Sequence, residues 1–327
     1  MASPANVTAL APHARNPGTA LDLDVVASVR ANRAAIDRRI ASLAGRRSVK
    51  KQWQAAWLLK AISCIDLTTL AGDDTTGRVR RLCAKARQPL RADLKAQLGI
   101  DHLPLSVGAV CVYHDMIGPA KDALDGTGIP IAAVSTGFPA GLSPFETRLA
   151  EIKASVAAGA EEIDIVISRR HVLTRNWQAL YDEVKAFREA CGPAHLKAIL
   201  ATGELGSLKE VGQASMVAMM AGADFIKTST GMESVNATLP VSLTMVRAIR
   251  AYQDMTGQKV GFKPAGGIGT AKDALAYLIL MKEELGRPWL SPTLFRFGAS
   301  RLLGDIERQL HHHATGRYAC ADHNPLG

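Results

Sequence analysis

Short apolar runs alternate with longer amphipathic stretches from about residue 60 onward in this 327-residue chain. The runs have the length of buried strands, and the stretches between them repeat apolar positions at helical spacing, as in PFETRLAEIKASVAAG. The eight runs are 61–68, 107–114, 129–136, 161–168, 195–203, 223–230, 260–267 and 294–300. Eight strand–helix units in roughly 250 residues predict an α/β fold, a (β/α)8 TIM barrel. An open doubly wound sheet is the alternative, because the pattern alone does not show ring closure.

The pattern also divides the chain. We expect a flexible lead over residues 1–20 and a helical extension of one or two helices over 20–60, packed outside the barrel. The barrel itself is expected over 60–319, followed by a C-terminal tail over 320–327.

Charge is concentrated near the N-terminus. The formal net charge is +9, and residues 1–60 contain ten Lys or Arg but three Asp or Glu. A basic arm can contact nucleic acid or an acidic partner. No nucleic-acid-binding motif accompanies this one, and aromatic residues make up only 5% of the chain. A solvated helical extension without a nucleic-acid partner is therefore expected.

Cysteine spacing and the lengths of apolar runs indicate where the protein resides. The five cysteines form an odd set without CxxC spacing, which favours reduced thiols and a cytoplasmic location. No apolar run reaches the roughly 18 residues of a membrane span, and the N-terminal sequence lacks the pattern of a secretory signal.

The consecutive residues His311, His312 and His313 fan around a helix and cannot converge on one ion. We expect no metal and no cofactor.

Two lysines carry the main chemical prediction. Lys227 in ADFIKTST and Lys263 in GFKPAGG each lie within an apolar run, where an ammonium is rare. They are 36 residues apart, one strand–helix unit, which predicts neighbouring strands. Burial and a second ammonium nearby both disfavour the charged form, so one lysine should become a neutral amine near neutral pH. Such an amine is the nucleophile of Schiff-base enzymes. The alternative is that both lysines point outward between barrel and helices.

Further polar residues lie in or just after the strand runs, where barrel chemistry gathers. Asp164 lies within EIDIVI and needs a basic partner, so we interpret it as a proton relay, with a structural ion pair as the alternative. Asp66 in IDLTTL is expected to hydrogen-bond a lysine or substrate hydroxyls, or to cap the next turn. Cys111 and Lys197 are the other candidates, and for Cys111 a small buried core residue is the favoured interpretation.

Glycines stand at the ends of the seventh and eighth runs, after the expected strands. Gly266, Gly267 and Gly298, with Ser300, stand where barrels of this kind bind phosphate through backbone N–H groups. The dipeptides alone are weak signals, and their position after these two strands strengthens them.

Several separated motifs resemble deoxyribose-phosphate aldolase, a cofactor-independent class I aldolase, in its longer, animal-like branch. They are IDLTTL, AVCVYH, EEIDIVIS, LKAILATGEL, GADFIKTSTG, VNAT, GFKPAGGI, FRFGAS and HHHATGRYA. The resemblance implies a barrel that reversibly cleaves 2-deoxy-D-ribose 5-phosphate to acetaldehyde and glyceraldehyde 3-phosphate. It also implies small-molecule aldehyde and sugar-phosphate substrates and a homo-oligomer.

The resemblance implies a role for each matching residue. Lys227 would form the imine, Lys263 would depress its pKa, and Asp164 would relay protons. Asp66, Lys197 and Thr230 would line the pocket of the donor aldehyde or take part in the relay. Gly266, Gly267, Gly298 and Ser300 would hold the phosphate.

Two positions depart from the family pattern. Met232 replaces the lysine that usually ends KTSTGK, and Gly269 stands where a basic residue is often found. Losing a charge-assisted contact to phosphate costs about 1.5–3 kcal/mol, although Arg301 offers a positive charge from the other loop. We therefore expect intact aldol chemistry with a weakened preference for phosphate.

Two other functions compete with this one. A catalytically silent barrel could use the basic arm for a partner, but it would not explain three buried charges at Lys227, Lys263 and Asp164. A keto-acid aldolase should present a cation for the substrate carboxylate, and the FIKTSTG and KPAGG contexts fit acetaldehyde better.

Overall fold

The computed structural model describes residues 15–46 and 48–320, and its centre is an eight-stranded parallel sheet. The strands are β1 Ile65–Thr68, β2 Ala109–Val112, β3 Ile131–Ser135, β4 Glu162–Val166, β5 His195–Ile199, β6 Phe225–Lys227, β7 Gly261–Lys263 and β8 Phe297–Ala299. Each of the eight predicted apolar runs contains one of these strands.

The sheet curls into a ring. Its strand order is β7-β6-β5-β4-β3-β2-β1-β8, and β1 pairs with both β2 and β8. Bridges from Phe262 to Phe295 and from Ala265 to Gly298 join β7 to the β8 segment. The fold is therefore the predicted (β/α)8 barrel, and the open doubly wound alternative is wrong.

Helices surround the ring and precede it. In the described ranges they are α1 Leu23–Ser28, α2 Arg33–Arg46, α3 Lys51–Ser63, α4 Thr76–Arg87, α5 Ala92–Gln97, α6 Ile117–Leu124, α7 Phe145–Ala158, α8 Arg169–Leu173, α9 Trp177–Ala190, α10 Leu208–Met220, α11 Leu239–Thr256, α12 Ala271–Glu284 and α13 Leu302–Thr315. Over the ranges 15–46 and 48–320, no helix is both long and apolar enough to cross a membrane.

The extension before the barrel has three helices where one or two were expected. Helix α2 packs against α11 and α12, and α3 packs against α12 and α13. Ile36 and Leu43 of α2 share a buried apolar cluster with Leu243 and Ile279 of the barrel helices. Helix α3 continues to Ser63, so the first apolar run is partly helix, and only its second half is strand.

Residues 15–20, predicted as the end of a flexible lead, are fastened to the N-terminal end of the barrel. Asn16 is 4% exposed, and its backbone N–H donates to Asp224 Oδ1 at 2.8 Å. Its side-chain amide donates to the carbonyls of Met219 and Ala223, and Tyr252 donates to its Oδ1. The rest of the predicted lead, residues 1–14, lies outside the described residues, as does 321–327 of the predicted tail.

The barrel interior has an apolar half and a charged half. Inward side chains of β2 to β5 form a compact apolar cluster, which includes Cys111, Ala132, Val134, Val166 and Ile199. Seven buried charged side chains also point inward, from β1, from β4 to β7 and from the residue before β8. The charged half opens toward the carboxyl ends of β6, β7 and β8, where the candidate site lies.

Candidate active site

Lys227 and Lys263 face each other in register on β6 and β7. Both ammonium groups donate to the same oxygen of Asp164, Oδ2, at 2.7 Å and 2.8 Å. Lys263 Nζ also lies 2.5 Å from Asp66 Oδ2. The predicted neighbouring strands are thus confirmed, and the outward orientation of the two lysines is excluded. Asp66 pairs with a lysine, which is one of the interpretations given for it in the sequence analysis. It does not cap a turn.

Three further charged residues complete the network. Lys197 Nζ lies 2.5 Å from Glu162 Oε2 and 3.0 Å from Asp164 Oδ1. Arg296 donates to Asp66 Oδ1 at 2.5 Å and to Glu162 Oε1 at 2.8 Å. All of these side chains are at most 7% exposed. The network is continuous from Lys227 at one end to Arg296 at the other.

Sequence reasoning missed Glu162 and Arg296. A signal for both exists in the two-residue periodicity of strands. Glu162 stands two residues before Asp164, and Arg296 stands two residues before Gly298, so each shares the inward face of its strand. Each was overlooked because a charged residue at the start of an apolar run resembles a solvated flank.

The charges of the network do not balance. Its members are four basic side chains, Lys197, Lys227, Lys263 and Arg296, and three carboxylates, Asp66, Glu162 and Asp164. A fully ionised network would therefore carry one buried positive charge in excess, which is costly in a dry interior. Deprotonating one amine removes the excess.

Lys227 is the amine that deprotonates most readily. Burial lowers its pKa, Asp164 counteracts this effect, and repulsion from Lys263 lowers the pKa further, so the net shift is downward. Burial also opposes the charged form of Lys263, but Asp164 and Asp66 together more than compensate and raise its pKa. Lys263 has two carboxylate partners, whereas Lys227 shares a single oxygen. Of the two lysines, Lys227 is therefore the one whose neutral form is favoured.

Asp164 stays ionised at the centre of the network. Burial raises its pKa, but the ammonium groups of Lys197, Lys227 and Lys263 outweigh burial and hold the pKa well below its usual value. Lys197 itself is disfavoured as a cation by burial, yet Asp164 and Glu162 raise its pKa overall. Asp164 is therefore an ionised carboxylate in contact with three amino groups, the position that a proton relay through the network requires.

A cavity of about 410 Å³ lies above the network, and Lys227 forms part of its wall. Six other predicted binding residues line it, namely Thr230, Gly266, Gly267, Gly298, Ser300 and Arg301. The other three, Asp66, Cys111 and Lys197, are fully buried and lie away from the cavity wall. Burial raises the pKa of the Cys111 thiol. These three residues contact the network or the apolar half of the barrel.

The glycine loops after β7 and β8 shape the cavity. Gly266 and Gly267 both adopt φ of 77°, a conformation that disfavours other residues. Within the described part of the chain, their N–H groups and that of Ser300 have no protein acceptor. Gly298 differs, because its N–H donates to the Pro264 carbonyl at 2.9 Å. The lack of a side chain at Gly298 leaves space for the Lys263 chain, since an added Cβ would lie 3.2 Å from its Cε.

The proteins that this chain resembles are aldolases. The sequence profile of the DeoC/LacD family aldolases matches residues 60–286. The deoxyribose-phosphate aldolases of Mus musculus and Homo sapiens are 60% and 57% identical to the chain. These alignments cover 97% and 96% of this chain and 100% and 99% of the relatives.

Solved structures agree on the fold. A putative deoxyribose-phosphate aldolase from Toxoplasma gondii has a TM-score of 0.68 at 21% identity, covering 82% of this chain and 98% of its own. The deoxyribose phosphate aldolase of Aeropyrum pernix, described as a unique tetramer, has a TM-score of 0.57 at 21% identity, covering 81% of this chain and 98% of its own.

The profile and the relatives establish the class of protein. The chain belongs to the DeoC/LacD family of aldolases. It is an aldolase, a carbon–carbon lyase, and its resemblance to deoxyribose-phosphate aldolase is confirmed.

Proposed function

We propose that this enzyme reversibly cleaves 2-deoxy-D-ribose 5-phosphate to acetaldehyde and glyceraldehyde 3-phosphate through a Schiff base on Lys227. The proposal rests on the lowered pKa of Lys227. This residue lies on the cavity wall and belongs to a network with one excess cation. The names of the relatives direct the choice of substrate.

Cleavage starts at the neutral amine. Lys227 Nζ adds to the aldehyde carbon C1 of the open-chain sugar and forms a carbinolamine, whose hydroxyl leaves as water after protonation. The resulting iminium draws electrons from the C2–C3 bond, while a base takes the proton of the C3 hydroxyl. Glyceraldehyde 3-phosphate leaves, and an enamine of the two-carbon unit stays on Lys227. Protonation at C2 and addition of water then release acetaldehyde and restore the amine.

Asp164 and its partners move the protons. Asp164 is the ionised carboxylate that contacts the Lys227 amine, so it is placed to pass protons to and from the reacting group, and its hydrogen bonds to Lys197 and Lys263 hold it in position. Lys263 also keeps the Lys227 amine neutral before substrate arrives. The iminium restores the positive charge at Lys227, next to Asp164 Oδ2, where the carboxylate stabilises it.

Preference for the phosphate group is proposed to be weakened. Met232 lines the cavity and is 55% exposed, so a thioether stands where a cation is usual. Gly269 also lines the cavity and carries no charge, while Arg301 remains on the β8 side. Comparing kcat/KM for deoxyribose with and without its phosphate tests this. Because one charge-assisted contact to phosphate is missing, we expect a preference below about 10⁴-fold. A larger preference would contradict the proposal.

Trapping the covalent intermediate tests the mechanism. Borohydride is added to the enzyme with acetaldehyde, and intact and peptide mass spectrometry locate the adduct. A reduced two-carbon adduct on Lys227, absent in the Lys227→Leu variant, is expected. No adduct on folded enzyme would refute the Schiff base. A keto-acid donor in parallel should give no adduct.

Two properties of the whole protein are also proposed. We infer a homo-oligomer, which light scattering on the purified enzyme would measure. We infer a cytoplasmic location, because the described cysteines are free thiols and four of the five are buried.

A further inference from the structure

The loop after β6 lines the cavity, and one carboxylate of the same loop already occupies its hydrogen-bond donors. The backbone N–H of Thr230 donates to Glu233 Oε1 at 3.0 Å, and that of Gly231 donates to Oε2 at 3.2 Å. The Thr230 hydroxyl donates to Oε2 at 2.9 Å. Thr230 and Gly231 both belong to the cavity wall, so an anion from the chain itself takes donors that an anionic ligand would otherwise use.

Glu233 is held in this position by the neighbouring glycine loop. The Asn236 side-chain amide donates to the Glu233 carbonyl at 2.9 Å. Asn236 packs directly on Gly266, where an added Cβ would lie only 2.6 Å from its own Cβ. The N–H of Ala237 donates to the carbonyl of Ala265 at 3.2 Å. The loop that carries Glu233 is thus joined to the loop that carries Gly266 and Gly267.

No positive charge neutralises Glu233. Among the ion pairs of residues 15–46 and 48–320, none includes it, and its partners at Thr230 and Gly231 are neutral donors. Met232, the adjacent residue, has a thioether side chain. The Glu233 carboxylate thus lies directly behind Thr230 and Gly231 of the cavity wall, whereas Arg301 lines the cavity on the β8 side.

We propose that Glu233 is a resident anion that sets substrate selectivity by disfavouring a dianionic phosphate relative to a neutral hydroxyl. This inference rests on the proposed aldolase function. A substrate phosphate must use the N–H groups of Gly266, Gly267 and Ser300 and the charge of Arg301, because the donors of the β6 loop are occupied. A terminal hydroxyl meets no repulsion from the Glu233 carboxylate.

The Glu233→Gln variant tests the charge, because glutamine keeps the size and an acceptor oxygen. The ratio of kcat/KM for deoxyribose 5-phosphate to that for deoxyribose should rise roughly tenfold, mainly through KM for the phosphorylated sugar. Inorganic phosphate, used as a competitive inhibitor and in calorimetric titration, should bind roughly tenfold more tightly. Glu204→Gln is the matched control, since it removes a carboxylate on the adjacent β5 loop whose partner, Arg169, is not part of the cavity wall.

Each outcome decides the proposal. A ratio and a phosphate affinity that change no more in Glu233→Gln than in Glu204→Gln would overturn it. Weaker phosphate binding in Glu233→Gln would also overturn it, since the carboxylate would then serve only to order the loop. The calorimetric titration does not depend on turnover. If wild-type enzyme cleaves neither sugar, the proposed function fails, whereas tighter phosphate binding by the variant still supports Glu233 as the resident anion.

Discussion

Lys227 and Lys263 share one carboxylate oxygen, Asp164 Oδ2, but only Lys263 has a second carboxylate, Asp66, within ion-pairing distance. The two lysines thus differ by one ion-pair partner. It favours the ammonium form of Lys263 and lowers the pKa of Lys227. Variants of the two lysines should therefore behave differently in stability as well as in activity.

Lys227→Met should abolish cleavage and leave the fold intact. Three cations and three carboxylates then remain, so the excess charge is gone and methionine occupies the space. We expect activity to fall by roughly 10⁴-fold or more, with the free energy of unfolding unchanged or higher. Urea unfolding and an assay of acetaldehyde release measure the two quantities. Destabilisation by several kcal/mol would show that Lys227 is charged and needed for balance.

Lys263→Met should destabilise the protein. Asp66 and Asp164 each lose one cation in a water-free interior and keep Arg296 and Lys197 as partners, so we expect the free energy of unfolding to fall by about 1–3 kcal/mol. The same urea titration measures the loss, with Lys227→Met as the matched control of equal size change. Equal stability of the two variants would contradict the different charge states assigned to these lysines.

The pH dependence of kcat/KM should have an acid limb set by Lys227. Burial and Lys263 lower its pKa, and only the neutral amine attacks, so the rate rises as pH rises through that lowered pKa and then levels off. In Lys263→Met the repulsion is absent and Asp164 is left to Lys227, so the limb should move to higher pH. Rate profiles of both folded proteins measure the shift. A limb that stays in place or moves to lower pH would exclude Lys263 as the cause.

Met232→Lys should strengthen the preference for phosphate. The added ammonium lies next to Glu233 and offsets its charge at the cavity wall. We expect the kcat/KM ratio of phosphorylated to non-phosphorylated sugar to rise about tenfold or more, the size of a charge-assisted contact. Met232→Gln, of similar length without charge, is the control. A similar rise in both variants would assign the effect to polarity instead of charge.

Asn16→Ala should lower stability without affecting chemistry. The substitution leaves the carbonyls of Met219 and Ala223 without their donor in a buried place, at a cost of about 2–4 kcal/mol. Asn16 lies at the end of the barrel opposite the cavity, so kcat/KM of the folded variant should match that of wild type. Thermal unfolding and kinetics measure both. Unchanged stability would mean that solvent replaces these bonds.

The sequence predicted the architecture because each strand corresponds to an apolar run. It predicted Lys227, Lys263 and Asp164 because a charged residue is unusual inside such a run. Glu162 and Arg296 stand at the starts of their runs, where charge is ordinary, and only their two-residue spacing to an inward residue marks them. Asn16 has no local signal, since its partner Asp224 is 208 residues away. The sequence also does not predict which candidate residues line the cavity and which are buried beneath it. That depends on how far each strand extends past the ring.

The pairing of Asp66 with Arg296 has a consequence for synthesis of the protein. These residues are 230 positions apart, on the first strand and at the start of the last strand segment. During translation Asp66 emerges from the ribosome long before its guanidinium partner exists. In a nascent chain that ends before Arg296, Asp66 and Glu162 have only lysine partners, so burying the two carboxylates costs more free energy. Truncated or stalled chains should therefore remain open and accessible to proteases, so that only the complete polypeptide acquires a dry interior.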